Sequence, residues 1–473
     1  MPAVTIFHGR VVDVGQEAGT LTILENAWVV VDNSSGIILE VTTGKPTVYP
    51  NVLCTHEMPL EHVLCPGFID THVHAAQVQY QGTGTDLPLM KWLEKYAFPS
   101  EKKLTNSVEL SRTVYSQLVS SLIANGTTTC LYFGVMGLAS SQILVDVVRG
   151  QGQRAMIGKV NMNRLAPKDY CETTEESLLA TKQFIEYVRQ IPGSLVHPVI
   201  TPRFVPSCTE ELLIGLGELA ASENCRIQSH AVESVDCLRT VEKLHPGQDE
   251  VEILGNAGLL TDKSIMAHCV HLSDAHVNTF VEQGVSIAHC PLSNVYFAGG
   301  ALRTKSLMDK GINIGLGTDI AGGYSHRMLN SVRHCMTTHL MVCSADASAG
   351  ASADLHLHDV PHVNVPDASA DVNAEANSRC KHVAPGAGNA VKRDSFNFKH
   401  AIWLATMGGA RVLGLENTVG RIAEGLEFDA LLLDLTTFQD VLGNDPMVAF
   451  EKFVHLGDDR HILNVWIQGQ PVK

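Results

Sequence analysis

From Val63 onward the sequence alternates short apolar, β-rich runs with longer stretches of helical spacing, and that alternation leaves few architectures open. The runs predict strands at 64–74, 127–134, 154–162, 195–203, 225–231, 264–270, 285–290 and 312–319. Between them the spacing predicts helices at 109–124, 140–149, 174–190, 209–222, 248–258, 274–283 and 304–310, with 327–341 after the last strand. Eight strands with intervening helices are the count of a (β/α)8 TIM barrel, an α/β fold whose chemistry gathers at the C-terminal ends of the strands. Residues 1–65 read differently, as short β runs broken by Gly, Asn and Asp, and 428–434 and 462–469 are β-rich again. The two ends are expected to pair in a small β-sandwich, so that residues 1–65 and 422–473 flank a barrel of 66–421. One interval, 345–394, contains no aromatic residue and is rich in Ala, Ser, Asp and Asn. It buries too little apolar surface to offset its ordering entropy and is expected to be a mobile insertion. Its His356, His358 and His362 have no strand around them and read as solvated side chains.

Composition excludes some partners. The formal net charge of −16 provides no basic face for nucleic acid or an anionic membrane, but leaves room for a neutral small molecule. No apolar run is long enough to span a bilayer, and the first residues lack the basic-then-apolar pattern of a signal peptide. The twelve cysteines are scattered without a C-x-x-C pair, as expected for thiols in a reducing cytosol.

The chemistry is sought at strand ends. The first predicted barrel strand closes with Asp70-Thr71-His72-Val73-His74, and Gln77 follows. Side chains two apart share a face of a strand, so His72 and His74 project together and make half a metal site. Strand four ends in Thr201-Pro202-Arg203-Phe204 and strand five in Gln228-Ser229-His230, with Glu233 just beyond. Strand six ends in His268, and strand eight in Gly317-Thr318-Asp319. Singly, each has an ordinary explanation: a core histidine for His268, a helix N-cap for Asp319, a surface ion pair for Arg203. Their joint arrival at the correct ends of the strands is what points to a site. His72, His74, His230 and Asp319 offer three imidazoles and one hard anion to a divalent metal, with a position left for water. Such a metal brings the pKa of its water to about 7. Glu233 can then take the proton, and His268 and Asp319 can orient the attack or assist the leaving group. The reaction class is metal-assisted hydrolytic attack on an electrophilic carbon.

With Pro66 to Gln77, His230, His268 and Asp319, the chain resembles the amidohydrolase superfamily and, within it, the guanine deaminase family. The stretch Thr85–Glu101 (TDLPLMKWLEKYAFPSE) carries the closer resemblance, with Asn125–Thr129, Thr201–Phe204, Gln228–Glu233, Ile287–Pro291, Gly315–Tyr324 and Leu456–Arg460. It runs over nearly the whole chain, 345–394 excepted. It implies hydrolysis of guanine to xanthine and ammonia on one zinc ion per subunit, in a cytosolic homodimer. Zinc would be held by His72, His74, His230 and Asp319, with proton handling by Glu233, His268 and Asp319. Substrate contacts would come from His74, Gln77, Arg203, Phe204, His230, Glu233 and Asp319. A two-metal relative would need a bridging lysine at the end of strand four, where this chain has Thr-Pro-Arg-Phe; Lys159 lies on strand three. Cytidine-type deaminases carry H-x-E with P-C-x-x-C, and neither occurs here. The alternatives are another purine or triazine hydrolase of the superfamily, or a non-catalytic assembly protein, which should lack ligands that this chain has.

Overall fold

The structure, a computed structural model, describes residues 2–193, 195–349, 396–439 and 445–473, the side chains of 346–349 excepted. The chain divides into two compact units, Met1–His339 with Phe396–Lys473, and Leu340–Ser395. Both sheets belong to the first.

One sheet holds the barrel strands in the order of the sequence, every pairing parallel. Its eight principal strands are Phe68–His74, Thr127–Phe133, Arg154–Gly158, Val196–Pro202, Arg226–Ala231, Ser264–His268, Ser286–His289 and Ile314–Leu316. They are buried along almost their whole length, as parallel strands covered by helices must be. Ile69, Leu131, Met156, Val199, Ile265 and Ala288, from six of these strands, form an apolar cluster with Ala410, Val412 and Leu413. Strands one and eight are joined beyond their ladders by Asp70. Its carboxyl accepts from the backbone N–H of Thr318 at 3.0 Å, the Thr318 hydroxyl at 2.5 Å and the His72 N–H at 3.1 Å.

The strands from the two ends form a second sheet. Val4–Val14 pairs with Leu21–Asp32 on one side and with both Val52–Glu57 and His62–Pro66 on the other. His62–Pro66 pairs in turn with Ala430–Asp434, and that strand with Ile462–Ile467. Phe7, Val29, Phe428 and Trp466 lie in the apolar core of this sheet. Arg154, at the start of barrel strand three, ties the two sheets together through Asp429 at 3.0 Å and Glu427 at 2.6 Å.

Two expectations are corrected. The run predicted as one strand over 64–74 is two strands in different sheets, divided at Gly67. A Cβ on Gly67 would lie 2.3 Å from the Thr128 side chain, so only glycine lets the backbone pass so close to strand two. The last helix expected at 327–341 extends over Met328–Ala349. The Ala- and Ser-rich residues 343–349 contain no Gly or Pro to stop it. The remainder of the expected insertion, with His356, His358 and His362, lies outside the described residues. Among the described residues no helix is long and apolar enough to cross a membrane.

Candidate active site

The ends of strands one, five and eight bring four side chains to one point. His72 Nε2 lies 3.2 Å and His74 Nε2 3.4 Å from Oδ1 of Asp319, and His74 Nε2 lies 3.1 Å from His230 Nε2. The tautomer of His230 follows from its other nitrogen: Nδ1 donates to the Arg203 carbonyl at 2.5 Å, so Nε2 carries a lone pair. Burial lowers the pKa of His72, His74 and His230, which favours the neutral rings that ligate metals. His72 Nε2 is buried without a hydrogen-bond partner. Lone pairs turned toward one another around a carboxylate, in a buried place, are a poor arrangement for protein alone and a good one for a cation. The three histidines could hold a metal ion on distance alone, and Asp319 adds the oxygen donor. Phe133, at the end of strand two, packs its ring 4.7–4.8 Å from all three imidazoles and fixes them from below.

His268 faces the same centre. Its Nδ1 is 2.9 Å from Asn294 Oδ1, which turns Nε2 toward Glu233 Oε1 at 3.6 Å and Asp319 Oδ2 at 3.8 Å. Burial pushes the Glu233 carboxyl up, only partly offset by His268. For His268 burial works downward, but the two carboxylates outweigh it and raise the imidazole. Burial also opposes ionisation of Asp319, yet the imidazoles around it, His72 first, hold it far below the usual carboxylate range. His268 and Asp319 both have left-handed backbones, with φ of +68° and +47°. Such conformations cost about 1–3 kcal/mol each and concentrate at functional sites.

Above this centre opens a cleft with an empty volume of about 380 Å³, its open mouth included. Leu89, Trp92, Leu93, Phe204 and Phe297 supply apolar walls, and Gln77 and Arg203 supply polar groups. A cleft with aromatic walls and a few directed donors suits a planar heterocycle. Gln77 Nε2 donates to Glu101 Oε1 at 3.1 Å, and Gln77 Oε1 accepts from the Ala321 N–H at 3.1 Å. Arg203 Nη1 donates to Glu101 Oε2 at 2.6 Å.

Every residue singled out in the sequence thus comes to this place: His72, His74, His230 and Asp319 at the centre, Glu233 and His268 beside it, Gln77, Arg203 and Phe204 in the cleft. Lys159, by contrast, is buried against Glu172 at 2.7 Å. Sequence reasoning missed Glu101, Asn294 and Phe133. Glu101 sits on a helix, Phe98–Thr105, where a charged residue ordinarily faces water. Its signals were its place at the end of the block Thr85–Glu101 and the placement of Phe98 and Glu101 a helical turn apart.

Known proteins resemble this chain in sequence and fold. Residues 63–357 and 367–472 match the Amidohydrolase family. A guanine deaminase of Dictyostelium discoideum is 34% identical over 99% of this chain and 98% of its own length. The guanine deaminase of Homo sapiens is 35% identical over 88% of this chain and 84% of its own. A crystal structure of guanine deaminase from C. acetobutylicum, with guanine bound in its active site, superposes with a TM-score of 0.83 at 28% identity, covering 99% of this chain and 100% of that one.

Proposed function

The chain belongs to the amidohydrolase family, and we propose that it works as a guanine deaminase, hydrolysing guanine to xanthine and ammonia with one zinc ion per subunit. The observation that supports this reading most is the convergence of three imidazoles and Asp319 directly beneath a cleft whose polar wall is formed by Arg203 and Gln77. His72, His74, His230 and Asp319 would hold the metal, which supplies an activated water at neutral pH.

The remaining steps belong to the protein's own groups. Phe204 and the apolar walls hold the purine plane, while Arg203 and Gln77 donate to its acceptor edge, the carbonyl oxygen and ring nitrogens. This turns the amino-bearing carbon toward Glu233. Glu233 takes a proton from the attacking water and returns it to a ring nitrogen, so that negative charge does not accumulate on the base. His268, set by Asn294 and facing both carboxylates, would pass the water's second proton, with Asp319, from the new hydroxyl to the amino group, which leaves as ammonia. From the family resemblance we also propose a cytosolic homodimer, which sedimentation of the purified protein tests for assembly.

The deciding experiment offers purified protein guanine, adenine, cytosine and a triazine in separate reactions and measures ammonia. Release from guanine alone is expected. Faster release from adenine or from the triazine would overturn the assignment.

A further inference from the structure

Glu101 does not line the cleft, yet Gln77 and Arg203, which do, both end on it. Its Oε1 accepts from Gln77 Nε2 at 3.1 Å. Its Oε2 accepts from Arg203 Nη1 at 2.6 Å and from the Tyr170 hydroxyl at 3.3 Å. All four residues are buried, Glu101 at 1% exposure. Phe98, one turn earlier on the same helix, lies with its ring 5.2 Å from the Arg203 guanidinium carbon. One helix thus holds the guanidinium by both edge and face.

This arrangement decides what the wall can offer. A carboxylate only accepts and a backbone N–H only donates. Gln77, lying between Glu101 and the Ala321 N–H, therefore has a single satisfactory amide orientation, with Oε1 engaged and one N–H free. Arg203 has no acceptor at all. We propose that Glu101 is a positioning residue that locks Gln77 and Arg203 into a wall made only of donors, and so restricts the substrate to purines that present acceptors to it. The inference rests on the reading of the cleft as a guanine site.

A glutamine at this position would break the lock without emptying the space. Its oxygen would be claimed by Arg203 and Tyr170, which leaves its amide N–H₂ facing Gln77 Nε2, donor against donor. Gln77 could relieve that only by turning its own N–H₂ toward the Ala321 N–H. Either way the wall no longer has one pattern.

The test compares guanine with 2,6-diaminopurine, which keeps the 2-amino group but replaces the carbonyl by an amino donor. Selectivity is read as the ratio of kcat/KM, or of competitive Ki for a base that is not turned over. Glu101→Gln should keep its metal, raise KM for guanine more than it lowers kcat, and reduce the selectivity ratio at least about tenfold. An unchanged ratio in a folded, metal-loaded variant would overturn the proposal. If that variant does not fold, Tyr170→Phe decides, since it removes one hydrogen bond from the same carboxylate and leaves the ion pair. A smaller loss of selectivity, about threefold, supports the lock, and none overturns it. Wild-type protein inert toward guanine would instead defeat the underlying reading of the cleft, whatever the variants do.

Discussion

The backbone carbonyl of Arg203 accepts a hydrogen bond from Nδ1 of His230 at 2.5 Å. One residue therefore serves two places, orienting a candidate metal ligand with its main chain and facing the cleft with its side chain. The two roles separate by mutation. Arg203→Lys retains the carbonyl and the charge but loses the planar fork. It should bind metal like the wild type while kcat/KM for guanine falls by roughly 10–100-fold. Loss of metal from this variant would show that the side chain also supports the centre. Alanine is the poorer probe, because it leaves Glu101 buried without its cation, at a cost of about 3–5 kcal/mol.

Metal content is the second expectation. Elemental analysis should find close to one zinc per chain, and chelation should abolish ammonia release until zinc is returned. His72→Ala should lose affinity for the ion together with activity. Two tightly held ions per chain would contradict a site built from three histidines and one aspartate.

Glu233 is expected to separate chemistry from binding. Glu233→Gln keeps the shape but cannot accept a proton and return it. Turnover should fall at least about a hundredfold, the lower end of what general acid–base catalysis contributes. Zinc content and folding should be unchanged. A variant that folds but loses zinc would make Glu233 a ligand, and near-normal turnover would route the proton through His268 or Asp319.

A fourth expectation concerns pH and lies outside the metal centre. Glu250 is buried, with Oε2 accepting from the Val232 N–H at 2.8 Å and Oε1 without a partner. Burial pushes its pKa from the ordinary 4.5 up to about 8. Between those two values the folded chain keeps a proton that the unfolded chain has released, so stability falls as pH rises. The contribution is complete below pH 4.5 and is lost as pH passes about 8. Glu250→Gln can still accept from Val232 and carries no charge. Its stability should gain on the wild type by a few kcal/mol, in order of magnitude, between pH 5 and pH 8. Parallel denaturation curves for the two proteins across that range would refute this.

The barrel was legible because parallel strands buried on both faces are written as nearly continuous apolar runs, which helices separate. His72 and His74 were legible because two-residue spacing fixes a shared face, and His230, His268 and Asp319 because barrel strands end at the site. Glu101 closes the block Thr85–Glu101, but its role was not legible, because its partners Gln77 and Arg203 come from other segments of the chain and only the fold brings them together. Asn294 reaches the site through His268, and periodicity does not report such a contact. The division at Gly67 was hidden for a similar reason. Strand-like residues continue on both sides of Pro66-Gly67, and the change of sheet at that point is set by strands from the other end of the chain.

That division bears on how the protein is made. His62–Pro66 gains one of its neighbours, Ala430–Asp434, from nearly the far end of the polypeptide, and barrel strand one begins two residues later. During synthesis the segment carrying His72 and His74 emerges early, yet the strand leading into it waits for a partner translated much later. Closing so long a loop adds little entropy beyond that of a shorter one, so the delay is one of order more than of energy. A nascent chain halted before residue 430 would present His62–Pro66 with a bare edge, open to pairing with another chain.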